Sequence, residues 1–284
     1  MKKIFMLFAL VGILVSCCET TPKQSQPTEP PLNISVFIDL SDRLVRDMEP
    51  SQMYRDTAIV GFLADYFKAK TLGPHIITSK DNMKVFFYPT PQSSDIATLA
   101  QDLSVDLSSL KGVDKKKAVL AMKQIFQDNL AKIYEKAIDD GNNHKWPGCD
   151  IWGFFSGKKV DVHCVREGYR NILIILTDGY LYDENNKIKE GHGASFVLPQ
   201  TLKDPESFLI AKRKGLENLE VRILEVNPYN KQEGYKLVPV LENWLKEMGV
   251  EEITVSETDL PTNTQTIIKS FLNKGGVTMG KNSL

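Results

Sequence analysis

The stretch Asn171-Ile172-Leu173-Ile174-Ile175-Leu176-Thr177, followed at once by Asp178-Gly179, decides how this chain is read. Its unbroken aliphatic run has no polar face, so it lacks the in–out alternation of a strand with one wet side. A strand of this kind is covered on both faces, as in a parallel sheet held between helices. A second run of the same character, Asn33-Ile34-Ser35-Val36-Phe37-Ile38-Asp39, also ends in an aspartate. Two further strands are read at Glu220 to Val226 and Glu252 to Val255. Helical spacing fills the intervals: residues 51–70, with Ile59, Phe62, Leu63, Tyr66 and Phe67 on one face, then 114–139, 205–218, 235–248 and 261–272. His75 to Thr78, a turn at 79–82 and Met83 to Tyr88 read as a hairpin. Asp150 is placed to cap a short helix carrying Ile151, Trp152, Phe154 and Phe155. Alternating strands and helices make an α/β fold: a doubly wound, mostly parallel, Rossmann-like sheet with helices on both faces and one antiparallel edge hairpin. The domain is taken as residues 33–284.

Before it stands a different kind of sequence. Met1-Lys2-Lys3 leads into an apolar run to Val15, then Ser16-Cys17. Two charges, a short apolar segment and a small residue before a cysteine form a secretory signal over residues 1–16. The run is shorter than the roughly 20 apolar residues that cross a bilayer. Leu14-Val15-Ser16-Cys17 resembles the bacterial lipobox, which implies acylation of Cys17 and a membrane-anchored place in the bacterial cell envelope. Cys18 is a weaker acceptor, because it would put Cys17 where the lipobox wants a small residue. Residues 17–32 carry four prolines and almost nothing apolar, and so read as a semi-extended tether.

The 42% apolar content is that of an ordinary globular chain. The formal charge of -1 becomes -3 once Lys2 and Lys3 leave with the signal, which gives no reason to expect a nucleic-acid partner. Four scattered histidines and no paired CxxC argue against a zinc site. Cys149 and Cys164 flank the short helix, and a disulfide between them is as open as two buried thiols. Trp146, Trp152 and Trp244 read as packing residues, and Lys115-Lys116-Lys117 as a solvated helix start.

Ligands in open α/β sheets bind beyond the carboxyl ends of strands, where the winding reverses. With strand order 3-2-1-4-5-6, Asp39, Ser41 and Asp178 meet there, and their oxygens suit magnesium, manganese or calcium. Tyr180 and Tyr182 follow and would line or cover the same edge. Asp39-Leu40-Ser41-Asp42-Arg43 and Asp178-Gly179 resemble the adhesion-site motifs of the von Willebrand factor A family. That resemblance implies a metal-dependent adhesion site and an acidic group on a partner completing its shell. The pattern is degenerate: Arg43 stands where the family has a second serine, and no threonine lies between Gly141 and Asp150. Asn142, Asn143 and Asp150 are the nearby oxygen donors, Asp42 is a further candidate contact, and the Arg43 guanidinium is able to take the cation's place.

Two functions follow. A binding, adhesion or assembly module with a protein partner is preferred. The alternative is a metal-dependent hydrolase or phosphatase with Asp39 as nucleophile, although Ser41 stands where haloacid-dehalogenase-type enzymes keep a second acid. No Walker loop or nucleophile elbow supports another enzyme class. Mass spectrometry of the mature N-terminus is expected to find an acylated Cys17; an unmodified terminus at another position refutes the anchor.

Overall fold

Strand β1 (Leu32–Ile38) is buried along its whole length. It lies between β2 (Asn82–Phe86) and β4 (Arg170–Leu176), parallel to both. The computed structural model describes residues 29–180, 210, 215–228 and 231–275. Within these, β3 (Ser104–Asp106), β5 (Leu219–Val226) and β6 (Glu252–Glu257) complete a six-stranded sheet in the order β3-β2-β1-β4-β5-β6. Only the β2–β3 pair is antiparallel. The fold is the α/β doubly wound sheet that the alternating pattern implies, with winding that reverses between β1 and β4.

Each side of the sheet has its own core. Leu32, Ile34, Val36 and Ile38 point to one face, and Ile172, Ile174 and Leu176 of β4 join them. There they meet α1 (Gln52–Thr71), α3 (Gly112–Asn142) and α7 (Pro261–Leu272). Phe37, Leu173 and Ile175 point the other way, against α4 (Ile151–Ser156), α5 (Lys159–Cys164) and α6 (Lys231–Glu247). Both faces of β4 are therefore apolar contacts, which is why its sequence does not alternate. Helix α3 spans about 46 Å at 1.5 Å per residue. Asp150 caps α4 as its position suggests, its Oδ1 accepting from Gly153 N–H at 2.7 Å.

The edge differs from the expected hairpin. Pro74–Thr78 are turns, closed by Ile76 N–H to the Gly73 carbonyl and Thr78 N–H to the His75 carbonyl. The antiparallel partner of β2 is β3, reached through the intervening helix α2 (Ser94–Gln101). The β-branched residues 76–78 favour a strand locally, but only Ile76 is buried and Ile77 is 66% exposed, so no core rewards pairing there. The expected helix at 205–218 lies largely outside the described residues, as do Cys17, Cys18, residues 19–28, Tyr182 and 276–284.

Three asparagines at the amino-terminal edge cross-link the central strands. Asn33 is in register with Asn82 on one side and Asn171 on the other. Asn82 Nδ2 donates to Asn33 Oδ1 at 2.7 Å, and Asn33 Nδ2 donates to Asn171 Oδ1 at 2.8 Å and to the Cys164 carbonyl at 2.9 Å. All three are buried, so each bond replaces one that water would otherwise make. Asn33→Ala takes the acceptor from Asn82 Nδ2 and a donor from the Cys164 carbonyl, and leaves Asn171 Oδ1 with Arg166 N–H alone. We expect a loss of about 3 kcal/mol, or roughly 6–12 °C in Tm for a domain of this size, read by calorimetric melting.

Candidate functional site

The carboxyl ends of β1 and β4 meet as adjacent strands. Pairing continues past β1, where Asp39 N–H donates to the Leu176 carbonyl at 3.0 Å. This brings Asp39 beside Thr177, whose Oγ1 donates to Asp39 Oδ2 at 2.8 Å. Ser41 N–H donates to Asp39 Oδ1, also at 2.8 Å. Both oxygens of a carboxylate that is 1% exposed are thus occupied. Ser41 then precedes a 3-10 turn, Asp42–Val45, its carbonyl accepting from Leu44 N–H at 3.2 Å, and the turn brings Arg43 back into the protein.

Arg43 is itself 1% exposed. Its Nε donates to the Asp39 carbonyl at 2.9 Å and stands 3.9 Å from Asp39 Oδ2, while Nη2 reaches Asp56 Oδ2 at 2.6 Å. Asp56, on α1, also accepts from Tyr134 Oη of α3 at 2.5 Å and from Gln52 Nε2 at 2.8 Å. Burial works against the Arg43 charge, but the Asp56 and Asp39 carboxylates outweigh it and hold the guanidinium charged; burial, and next the Asp56 charge, pushes the Tyr134 hydroxyl well above its ordinary value.

Asp178 meets a second arginine. Arg46 Nη2 donates to Asp178 Oδ2 at 2.7 Å, its Nη1 donates to the Asn227 carbonyl, and the guanidinium lies 5.8 Å from the centre of the Tyr180 ring. Tyr180 N–H donates to Asp178 Oδ1 at 3.2 Å. Gly179 turns the chain at φ +96°, where a Cβ would come within 2.9 Å of Leu237 and Val226. A side chain there would be strained and crowded, so glycine is required.

The structure therefore brings Asp39, Ser41, Arg43 and Asp178 to one edge, as the strand order implies. Asp42 lies exposed on the rim. Asp150 approaches from the next loop but caps α4, and Asn142 and Asn143 stay exposed at the end of α3. Arg46, Asp56, Thr177 and Tyr134 were not singled out in the sequence. Asp56 did carry a signal, since it falls on the same buried stripe of α1 as Ile59, Val60 and Leu63. A carboxylate on such a stripe needs a partner.

The set does not fit a divalent cation as it stands. A cation needs carboxylate oxygens turned to one point, whereas here Ser41 N–H, Thr177 Oγ1, Tyr180 N–H and Arg46 already hold all four, with Arg43 3.9 Å from Asp39. Among the described residues no group of three or more His, Cys, Asp or Glu side chains is arranged to hold a metal ion.

The disulfide is a correction. Cys149 and Cys164 are both free and buried. Cys149 follows Gly148, which bridges Leu40 beyond the end of β1, whereas the carbonyl of Cys164 accepts from Asn33 at its start. The strand from Asn33 to Ile38 alone separates these contacts by about 17 Å at 3.3 Å per residue, against the 7 Å or so that a bridge tolerates. Burial pushes the Cys164 thiol up to about 12 and raises Cys149 as well.

No family profile and no curated protein matches the chain. Among solved structures, similarity is found to the pilus adhesin SpaC from Lactobacillus rhamnosus GG in its open conformation, at TM-score 0.46 and 13% identity over 88% of this chain and 30% of that one. A second form of SpaC gives TM-score 0.45 at 12% identity over 88% of this chain and 31% of that one. The conserved hypothetical protein BatB from Bacteroides thetaiotaomicron gives TM-score 0.38 at 10% identity over 86% and 98%. The chain thus spans less than a third of the adhesin. The fold assignment rests on the strand order and register.

Burial, and next the charge of Asp39, lift the Asp178 carboxyl to about 7, outweighing the opposing pull of Arg46. The folded state then holds a proton that the unfolded chain releases near the ordinary aspartate value of about 3.9. Stability should fall as pH rises between these values and level off above them. We expect carboxyl NMR to place the Asp178 titration near pH 7, and Asp39→Asn to lower it. An Asp178 titration unmoved by that substitution would contradict the coupling.

Proposed function

We propose that the chain is a non-enzymatic binding module of the von Willebrand factor A type. It is held at the bacterial cell envelope by lipid on Cys17, serves adhesion or assembly, and engages a protein partner without a divalent cation. The observation that carries this reading is the pairing of each crevice carboxylate with an arginine: Asp39 beside Arg43 at 3.9 Å, and Asp178 with Arg46 at 2.7 Å. In a metal-dependent crevice, two neighbouring carboxylates repel until a cation lies between them. Here the neutralising charge belongs to the chain, and it is permanent at any physiological pH.

The strand order 3-2-1-4-5-6 with its antiparallel edge supports the family reading. So does the placing of Asp39, Ser41 and Asp178-Gly179 at the point where the winding reverses. The hydrolase alternative needs Asp39 as a nucleophile with an open path to substrate. A carboxylate that is 1% exposed and accepts bonds on both oxygens offers neither.

Calorimetry of the domain with magnesium, manganese and calcium is expected to give no binding heat. Saturable heat that disappears in Asp178→Ala would establish a cation site and overturn this reading. Hydrolysis of p-nitrophenyl phosphate that is lost in Asp39→Asn would instead restore the enzyme.

A further inference from the structure

The chain enters the domain at the edge opposite the crevice. Leu32 opens β1 there, and its N–H donates to Asp81 Oδ1 at 2.6 Å. A cleft of about 430 Å³ lies beside the entry, lined among others by Glu29, Pro31, Lys70, His75 and Lys80. Helix α3 starts on the same edge, because β3 ends at Asp106 opposite Asn82, the first residue of β2. Its first turn is clamped to the 73–79 turns by Lys115, whose Nζ donates to the carbonyls of Ile77 and Ser79, each at 2.8 Å.

Two side chains around this clamp are apolar yet open to solvent: Ile77 at 66% and Val113 at 83%. Lys80, Lys111, Lys116 and Lys117 are exposed around them, with Glu29 and Asp114 in the same segments; the other exposed acids of this edge, Glu167, Glu217, Glu251 and Glu252, stand at the starts of β4, β5 and β6. The far end carries exposed Asp42, Asp47, Glu49 and Asp139, with Lys145 among them. Isolated apolar side chains on a surface are ordinary. A pair of them ringed by lysines, on the edge where a lipid tether arrives, is the chemistry of an interfacial contact.

The geometry points to this corner as a surface that lies against a bilayer bearing anionic headgroups, with Ile77 and Val113 entering the interface and the lysines over the phosphates. The inference rests on the reading that Cys17 carries the lipid. From Cys17 to Glu29 the chain advances twelve residues, so the point where the chain enters the domain is at most about 43 Å from the anchor. The acidic end lies beyond Glu29 by about the length of β1, roughly 23 Å. An anionic surface attracts the lysine corner, which orients the domain as well as holding it.

The test uses the full lipidated chain. It is reconstituted into vesicles of phosphatidylcholine alone or with about 30% phosphatidylglycerol, then treated with an amine-acylating reagent and mapped by mass spectrometry. Lys80, Lys111, Lys116 and Lys117 should be modified at least roughly threefold more slowly on the anionic vesicles, with protection lost at about 1 M salt. Lys145, exposed in the loop at the opposite edge, should not change. Equal modification on both vesicles overturns the inference. So does protection already present in detergent, which would assign the corner to a second copy of the chain. Flotation of the same samples reports the anchor separately: a chain that fails to float with either vesicle refutes the lipid, and the membrane contact falls with it.

Discussion

A guanidinium sealed from water at the end of β1 is the constraint around which this molecule is arranged. Arg43 cannot lose its proton, so burying it demands a carboxylate within reach. Asp56 of α1 supplies that carboxylate, and Asp56 is fixed in turn by Tyr134 of α3 and Gln52. One charge thus ties the first strand, the first helix and the long third helix together. Such a pair is a weak source of stability but a strong source of uniqueness: removing either partner strands the other, at about 3–5 kcal/mol. The turn after β1 can close only in the way that brings Arg43 home. That turn also sets Arg46 over Asp178, so the shape of the crevice follows from the same buried pair.

The other flank repeats the device. Arg55, one residue before Asp56, donates from Nε to Glu225 Oε2 at 2.7 Å, and Glu225 Oε1 accepts from Thr264 of α7 at 2.8 Å. Glu225 sits at φ +65°, where the β5–β6 register shifts. A non-glycine residue held there is strained, and here the surrounding ion pair and hydrogen bond fix it. Two residues later Asn227 offers its carbonyl to Arg46. Helix α1 therefore steadies both sides of the crevice through adjacent residues of opposite charge.

Much of this is legible in the sequence because burial on two faces leaves a plain mark. The runs at 33–39 and 171–177 have no wet side, and a parallel sheet is the natural home for them. Once the strand order is set, the convergence of Asp39, Ser41 and Asp178 follows from topology alone. The edge was harder. Strand β3 is only three residues long, too short to show a period, while 75–78 carries strand-like residues with no core to bury them. Least legible were the partners of the charges. That Arg43 chooses Asp56 and Arg46 chooses Asp178 depends on how a short 3-10 turn folds back, and no local pattern encodes that. Thr177 was visible as the end of a strand, but its bond to Asp39 exists only across the β1–β4 seam.

The position of β1 has a mechanical consequence. It is a central strand, hydrogen-bonded to parallel neighbours along both edges, with five residues in register with β2 and seven with β4. The tether leaves from one end of it and the crevice lies at the other. A load applied between the amino-terminal segment and the crevice would therefore run along the strand and shear both ladders at once. Peeling would break the bonds one by one, whereas shear requires the two rows to fail together. A domain wired in this way resists tension directed along its first strand.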